Sequence, residues 1–305
     1  MSKVAAIVVG FRPEMDIVDR LLSSLVDQVH ILILVDNGGS QTYLSQDPIK
    51  KDKVKYIDLG GNLGLGKALN VGFEYAVQNG ADYVVTFDQD SNAAPDLIEN
   101  LSKAMGRADE KFPNCGAVSP VFFDRRDDVK QYFPFYTSEK GHIEAIFPSS
   151  DGEEFVKADV LITSGMMVKA SVWKESVKYD ESFFVDYTDT EWCFRARSLG
   201  YQIVGCLSVE MGHAPSDAPP ARVFGLSFFR YSPLRRYYFF RNTTRLIKQN
   251  YVENYWKRRL IIGLLLRYVV NVFIDNQKLK SLRMMSLGVY HGLVNKVGSY
   301  VSEVK

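Results

Sequence analysis

Apolar residues over the first 120 positions fall into two alternating patterns. Val4–Val9, His30–Val35, Val54–Leu59, Tyr83–Phe87 and Gly116–Val121 are short, nearly unbroken apolar runs, the signature of strands buried on both faces. Between them lie stretches of helical spacing. Glu14–Val26 sets Ile17, Leu21, Leu22 and Leu25 on one face; a second helix runs from about Leu63 to Gln78; a third starts at Pro95, a tolerated N-terminal proline, and runs to about Ala108. This alternation predicts an α/β fold: a Rossmann-like, mostly parallel sheet with helices on both faces. Residues 121–160 lose the pattern and predict hairpins or a loop over one edge. Beyond them the spacing predicts short strands at Asp159–Ile162 and Met166–Val168 around Ser164-Gly165. A short helix follows at Ser171–Ser176, then a helix at Asp189–Leu199 closed by Gly200, and a strand at Tyr201–Val204. From about Arg222 onward only helices are expected.

Composition narrows the class. With 46% hydrophobic and 24% charged residues, the 305-residue chain is neither disordered, collagenous nor a disulfide scaffold. The net charge of +1 conceals an asymmetry: residues 1–220 hold 21 basic and 33 acidic side chains, residues 221–305 hold 16 and 3. The first part suits a catalytic or cation-binding domain, in halves of about 1–120 and 121–220. The basic, helical remainder suits an anionic surface. Cys115, Cys193 and Cys206 are an odd set without CxxC spacing, as expected of buried or free thiols in a reducing compartment. The apolar start meets Arg12 too early for a signal peptide. Leu260–Ile274 contains Arg267 and Asn271 and falls short of the roughly 20 residues that span a bilayer.

Four constellations carry candidate chemistry. Asp88-Gln89-Asp90 directly follows a strand, at the sheet edge where open α/β folds bind ligands. Two carboxylates in one turn suit a hard cation and its phosphates, although such a turn also occurs simply as a solvated one. Asp36 and the glycine-rich Gly60–Lys67 follow two other strands toward the same edge. Glycines admit close backbone approach and a helix start favours an anion, or the loop is glycine-rich only for packing. It is no Walker loop, because Ala68 follows Lys67, and no dinucleotide fingerprint, because it follows the third strand. Phe183–Arg195 packs Asp186, Asp189 and Glu191 into six residues. There a carboxylate is equally a general base or a helix N-terminal charge. His213 lies past a strand and is a metal ligand or a structural histidine.

Together, VDNGGS, GGNLGLGKALNVGFEYA, TFDQDS and FFVDYTDTEWCFRARSLGY, after the opening strand, resemble inverting glycosyltransferases of family two with the GT-A fold, over about residues 3–215. DYTDTEWCFRARSLGY and RYYFFRN are most similar to bacterial rhamnosyltransferases of surface-polysaccharide assembly. The resemblance implies that Phe11, Arg12 and Asp36 meet the nucleotide, and that Asn62, Gly64 and Lys67 lie along it and its diphosphate. It also implies that Asp88 and Asp90 hold Mg2+ or Mn2+ with His213, Asp88 lying beside the donor as well. Asp189 falls on the catalytic base, with Glu191 as the alternative because Thr188 replaces the more usual Glu. Trp192 and Gly165 would meet the acceptor.

The implied donor is dTDP-L-rhamnose and the implied acceptor a polyprenyl-diphosphate-linked or oligosaccharide one. UDP-galactofuranose or a UDP-hexose is the alternative donor, and a non-catalytic nucleotide-sugar-binding scaffold the alternative class. The basic and aromatic Arg235–Arg241 and Trp256–Arg259 beside an apolar helix suit a membrane interface. This would set the protein in the cytoplasm at the inner face of the plasma membrane. Packing on the catalytic domain, or a homodimer interface, is the other use of these helices. No nucleic-acid module is present, and nucleic acid is not an expected partner.

Overall fold

A computed structural model describes residues 2–39, 53–124, 130–149, 152–213, 221–223, 226–228 and 231–300. Its main sheet contains β1 (Val4–Gly10), β2 (Ile31–Asp36), β3 (Val54–Asp58), β4 (Tyr83–Asp88), β5 (Cys115–Asp124), β9 (Phe155–Lys157), β10 (Met167–Lys169) and β11 (Gln202–His213). The spatial order is β3-β2-β1-β4-β10-β5-β11-β9, and β6 (Gln131–Tyr132) pairs with β5. β3, β2, β1 and β4 are mutually parallel, as the uninterrupted apolar runs predict. β10 breaks the pattern, running antiparallel between β4 and β5. A separate hairpin pairs β7 (Phe135–Thr137) with β8 (Glu144–Ile146).

Helices cover both faces because each buries one apolar stripe. α1 (Met15–Leu25) and α3 (Leu97–Lys111) pack Leu21, Leu22, Leu25, Leu101 and Met105 against Val8, Val85 and Phe87. α2 (Leu65–Gln78), α4 (Ala170–Glu175) and α5 (Thr188–Ser198) pack Leu69, Phe73, Trp173 and Trp192 on the opposite face. All three cysteines are buried and outside any disulfide.

Two expectations need correction. Asp159–Ile162 is not a strand; the pairing segment lies earlier, at Phe155–Lys157, where Phe155 faces the core. Residues after Arg222 are not all helical, because β12 (Ala221–Val223) and β13 (Leu226–Phe228) form a hairpin. Short strands of this kind carry too few residues to show a period. Three helices follow: α6 (Pro233–Ile247), α7 (Asn254–Ile274) and α8 (Lys278–Leu293). Among the described residues no helix is long and apolar enough to cross a membrane.

Candidate active site

The carboxyl ends of the parallel strands align. Gly10 sits in register with Asp36, and Val9 with Asp88, so the loops after β1, β2 and β4 emerge side by side. Hydrogen bonds tie them together. The Phe11 N–H donates to Gln89 Oε1 (2.7 Å) and the Arg12 N–H to the Gly38 carbonyl (2.7 Å). Asn37, which the sequence reading left out, links the second and third loops. Its Nδ2 donates to Asn62 Oδ1 (3.1 Å), and its Oδ1 accepts from the Leu63 N–H (2.8 Å). Asn62 Oδ1 also accepts from the Gly64 N–H at 3.0 Å. Asp36 is buried, accepting from the Gly38 N–H (2.7 Å) and the Tyr56 hydroxyl (2.5 Å). Asp36, Asn37 and Asn62 thus fix the loop backbones. Phe11 and Arg12 stand exposed at the rim, with the Arg12 guanidinium over the Phe11 ring at 5.3 Å.

Gly64 has a packing reason. Its φ of +93° is a left-handed conformation, and a Cβ there would lie 2.8 Å from the Phe184 carbonyl oxygen. The next residue, Leu65, donates its N–H to that same oxygen at 2.6 Å. The start of α2 is therefore welded to the segment that leads to Asp189. Lys67 Nζ lies 3.4 Å from Glu181 Oε1, a solvent-exposed pair.

Asp88 is half-buried and Asp90 exposed at the end of β4. Burial, then the nearby Asp90 and Asp189 carboxylates, push Asp88 up to about 7, while the charge of Arg235 opposes the rise. Concentrated negative charge on hard oxygen donors fits a divalent cation. Mg2+ takes one or two carboxylates and completes its octahedron with phosphate oxygens and water. Among the described residues no group of three or more His, Cys, Asp and Glu is arranged to hold a metal. His213 ends β11, opposite Asp124, but its side chain lies outside the described residues.

Asp189 stands in the first turn of α5 and is firmly held. Its Oδ2 accepts from the Thr163 N–H (3.0 Å) and hydroxyl (3.2 Å), its Oδ1 from the Thr190 N–H (2.6 Å) and hydroxyl (3.3 Å). Thr163 is itself tied to β4, because its carbonyl accepts from the Thr86 hydroxyl at 2.5 Å. One short chain of contacts therefore fixes Asp189 relative to the strand that ends in Asp88. Burial raises the Asp189 carboxyl above its ordinary value, against the hydrogen bonds from Thr190 and Thr163. A raised carboxyl is the better proton acceptor near neutrality.

Three assignments fail. Glu191 is not a candidate base: it is 1% exposed, bound by Arg195 through Nε (2.6 Å) and Nη2 (3.0 Å), and it accepts from the Tyr251 hydroxyl at 2.7 Å. Enclosed and paired with a guanidinium, this carboxylate has no route to a substrate hydroxyl, whereas Asp189 is only half-buried. Trp192 does not face an acceptor; it is buried, stacked on Tyr179, and its indole N–H donates to the Val177 carbonyl at 2.7 Å. Gly165 is a buried turn residue with φ +75°, its space closed by Pro120 and Met211.

Residues beyond position 230 complete the site. Phe184, Asp186 and Tyr187 all adopt left-handed backbone (φ 66°, 58° and 63°), a costly conformation for non-glycine residues. α6 holds them. Asn242 Nδ2 donates to the carbonyls of Phe183 (2.8 Å), Val185 (2.6 Å) and Asp186 (2.9 Å), and Arg241 Nη2 to that of Phe183 (2.8 Å). Asp186 Oδ1 accepts from Arg235 Nε at 3.2 Å, and its buried Oδ2 has no hydrogen-bond partner. The expected membrane role of the Arg235–Arg241 stretch is thereby corrected, since Arg236 and Arg241 are buried. Trp256 likewise is buried, donating to Asp159 Oδ2 at 2.6 Å.

Carboxylates at the strand ends of a Rossmann-like sheet, with a fixed carboxylate tied to the strand that ends in Asp88, are the arrangement of a GT-A sugar-nucleotide transferase. Residues 6–163 match Glycosyl transferase family 2, and the chain belongs to this family; it is a glycosyltransferase. Over 292 residues it is 30% identical to the dTDP-rhamnosyl transferase RfbF of Shigella flexneri, covering 96% of both chains. It is 24% identical over 302 residues to the low-salt glycan biosynthesis hexosyltransferase Agl10 of Haloferax volcanii, covering 98% of this chain and 93% of that one. Two solved structures share the fold. GalNAc-T7 with UDP, GalNAc and Mn2+ has a TM-score of 0.60 at 11% identity, over 97% of this chain and 56% of its own. S. aureus TarS 1-349 in complex with UDP-GlcNAc has a TM-score of 0.59 at 18% identity, over 95% and 80%.

Proposed function

We propose that this chain is an inverting rhamnosyltransferase that moves L-rhamnose from dTDP-L-rhamnose to a lipid-linked or oligosaccharide acceptor in cell-surface polysaccharide assembly. The observation that carries the donor is the end-to-end similarity to a dTDP-rhamnosyl transferase. The mechanism rests on Asp189, held by four hydrogen bonds beside the strand that ends in Asp88. Asp189 takes the proton of an acceptor hydroxyl. That oxygen bonds to the anomeric carbon from the face opposite the leaving group, through an oxocarbenium-like transition state. The bond to the nucleoside diphosphate breaks with its electron pair on the phosphate oxygen, and configuration inverts. Asp88 and Asp90, with His213, would hold Mg2+ or Mn2+, whose charge offsets that of the diphosphate.

A thermal-shift screen of nucleotide-sugars with Mg2+ or Mn2+, on wild type and Asp90→Ala, tests this reading. A ligand at 100 times its Kd stabilises by about 2.7 kcal/mol. A shift with dTDP-L-rhamnose that needs both metal and Asp90 supports the proposal. A shift with a UDP-sugar instead transfers the mechanism to another donor, and no shift with any donor overturns the donor reading.

The same reading sets the protein at an anionic membrane face, now through α7. Ile262 (65% exposed), Leu265 (65%), Val269 and Phe273 (72%) form an outward apolar stripe, beside the exposed Arg258 and, on α8, Lys280 and Arg283. Leu265→Glu should abolish co-sedimentation with anionic vesicles. Unchanged behaviour with a concentration-dependent dimer in solution would turn the stripe into a homodimer interface.

A further inference from the structure

Beyond α8 the chain turns back toward the site. Asn295 (φ 56°) and Gly298 (φ 77°) take left-handed backbone, which these two residue types accept more readily than others. Residues 296–300 then form a short strap with three attachments. The Gly298 N–H donates to the Ser182 carbonyl (3.2 Å), and the Gly298 carbonyl accepts from Arg241 Nη1 (2.5 Å). The Tyr300 N–H donates to the Tyr238 hydroxyl (2.7 Å), while the Tyr300 ring packs on Tyr237 with centroids 4.8 Å apart.

Each attachment leads to the segment that precedes Asp189. Arg241 carries the contact onward, because its other nitrogen, Nη2, donates to the Phe183 carbonyl at 2.8 Å. The Tyr238 ring stacks on Phe184, centroids 5.1 Å apart and planes within 22°. Phe184, Tyr237, Tyr238 and Met284 form one buried apolar cluster, with Tyr300 packed against it. Phe184 is the joint of the site: it is left-handed, and its carbonyl receives the Leu65 N–H at the start of α2. A residue so strained persists only where its surroundings over-determine it. Asn242 bonds the carbonyls on either side, those of Phe183, Val185 and Asp186, and passes Phe184 by. The hold on the Phe184 side chain comes from Tyr238, which the strap pins.

We propose that the strap positions the catalytic carboxylate: Gly298 and Tyr300, acting through Arg241 and Tyr238, are positioning residues that fix Phe184 and so set Asp189 against the start of α2. The kinetic arm of the test rests on the proposed dTDP-L-rhamnose donor; the exchange arm does not.

Hydrogen–deuterium exchange over residues 183–190 is measured beside steady-state sugar transfer from dTDP-L-rhamnose and the affinity for dTDP. The proteins are full-length wild type, Gly298→Ala, Gly298→Asn, Tyr300→Ala and Tyr300→Phe, at a temperature where melts show all five folded. At Gly298 an added Cβ meets no atom within 4 Å, so alanine strains the turn without a clash, and asparagine tolerates the left-handed backbone. Tyr300→Ala removes the ring from Tyr237, and Tyr300→Phe keeps it. In both alanine variants exchange should quicken about tenfold and kcat should fall about tenfold, with dTDP affinity unchanged. Gly298→Asn and Tyr300→Phe should recover most of both losses. A strap that serves stability alone would lower Tm yet leave exchange over 183–190 and kcat at wild-type values below the melt. That result, or quickened exchange at wild-type kcat, overturns the proposal. A wild type inactive with dTDP-L-rhamnose overturns the donor reading alone, and the exchange arm still decides whether the strap holds Phe184.

Discussion

Asn242 gives the sharpest test of how the fold builds the site. Its amide serves three carbonyls, those of Phe183, Val185 and Asp186, at 2.8, 2.6 and 2.9 Å. It does so from within α6, where it is fully buried. Asn242→Ala removes the two amide hydrogens and leaves the Val185 and Asp186 carbonyls without this donor, while Phe183 keeps its bond from Arg241, at about 1 kcal/mol net for each hydrogen bond and more where no water enters. A loss of roughly 2 kcal/mol follows, a fall in Tm on the order of 3–4 °C for a chain of this size. The same bonds hold Phe184, Asp186 and Tyr187 left-handed, two to five residues before Asp189. Once released, this segment relaxes and displaces the first turn of α5; a shift of about 1 Å there costs up to 100-fold in kcat. Asn242→Asp, which turns a carboxylate toward three carbonyl oxygens, should do worse than alanine. Thermal melts and initial rates of sugar transfer check both variants. An alanine variant that melts within about 1 °C of wild type and turns over at the wild-type rate would refute the clamp.

Other expectations follow from the same contacts. Glu191→Gln breaks a buried pair with Arg195 and should cost about 3–5 kcal/mol in denaturant melts; a loss of kcat without loss of stability would return Glu191 to the role of base. Trp192→Phe should destabilise by about 1–3 kcal/mol through lost volume and the bond to Val177, leaving the acceptor KM unchanged. A raised KM at full stability would contradict its place in the core. Gly64→Ala forces a Cβ onto the Phe184 carbonyl in a left-handed backbone and should lower stability by about 1–3 kcal/mol. A melt equal to wild type would show that the junction gives way.

The parallel half of the sheet was legible because its strands are continuous apolar runs broken by turn residues, and their carboxyl ends carry Asp36, Asn62 and Asp88 in a readable order. β9 and β10 were harder, being three residues each, and nothing local reveals that β10 runs antiparallel. Site roles failed where neighbours in sequence point apart in space. Trp192 follows two carboxylates in the chain, but α5 turns it under Tyr179 and Val177, into the core. The parts missed most completely, Asn242 and Arg235, act on residues about 50 positions earlier, and a basic aromatic stretch read by composition alone suggests a membrane. One local signal was present: two arginines in the first turn after a Ser-Pro helix start, where acids are favoured.

The central claim is that Asp189 performs the proton transfer while the strand-end carboxylates hold the donor. Asp189→Asn tests it most directly, in one experiment that follows dTDP release from dTDP-L-rhamnose with Mg2+ and a membrane-extract acceptor, alongside the affinity for dTDP. The account predicts unchanged dTDP affinity and a rate lower by about 10²–10⁴-fold. A variant that transfers the sugar at the wild-type rate, or that loses dTDP binding and turnover together, would contradict it.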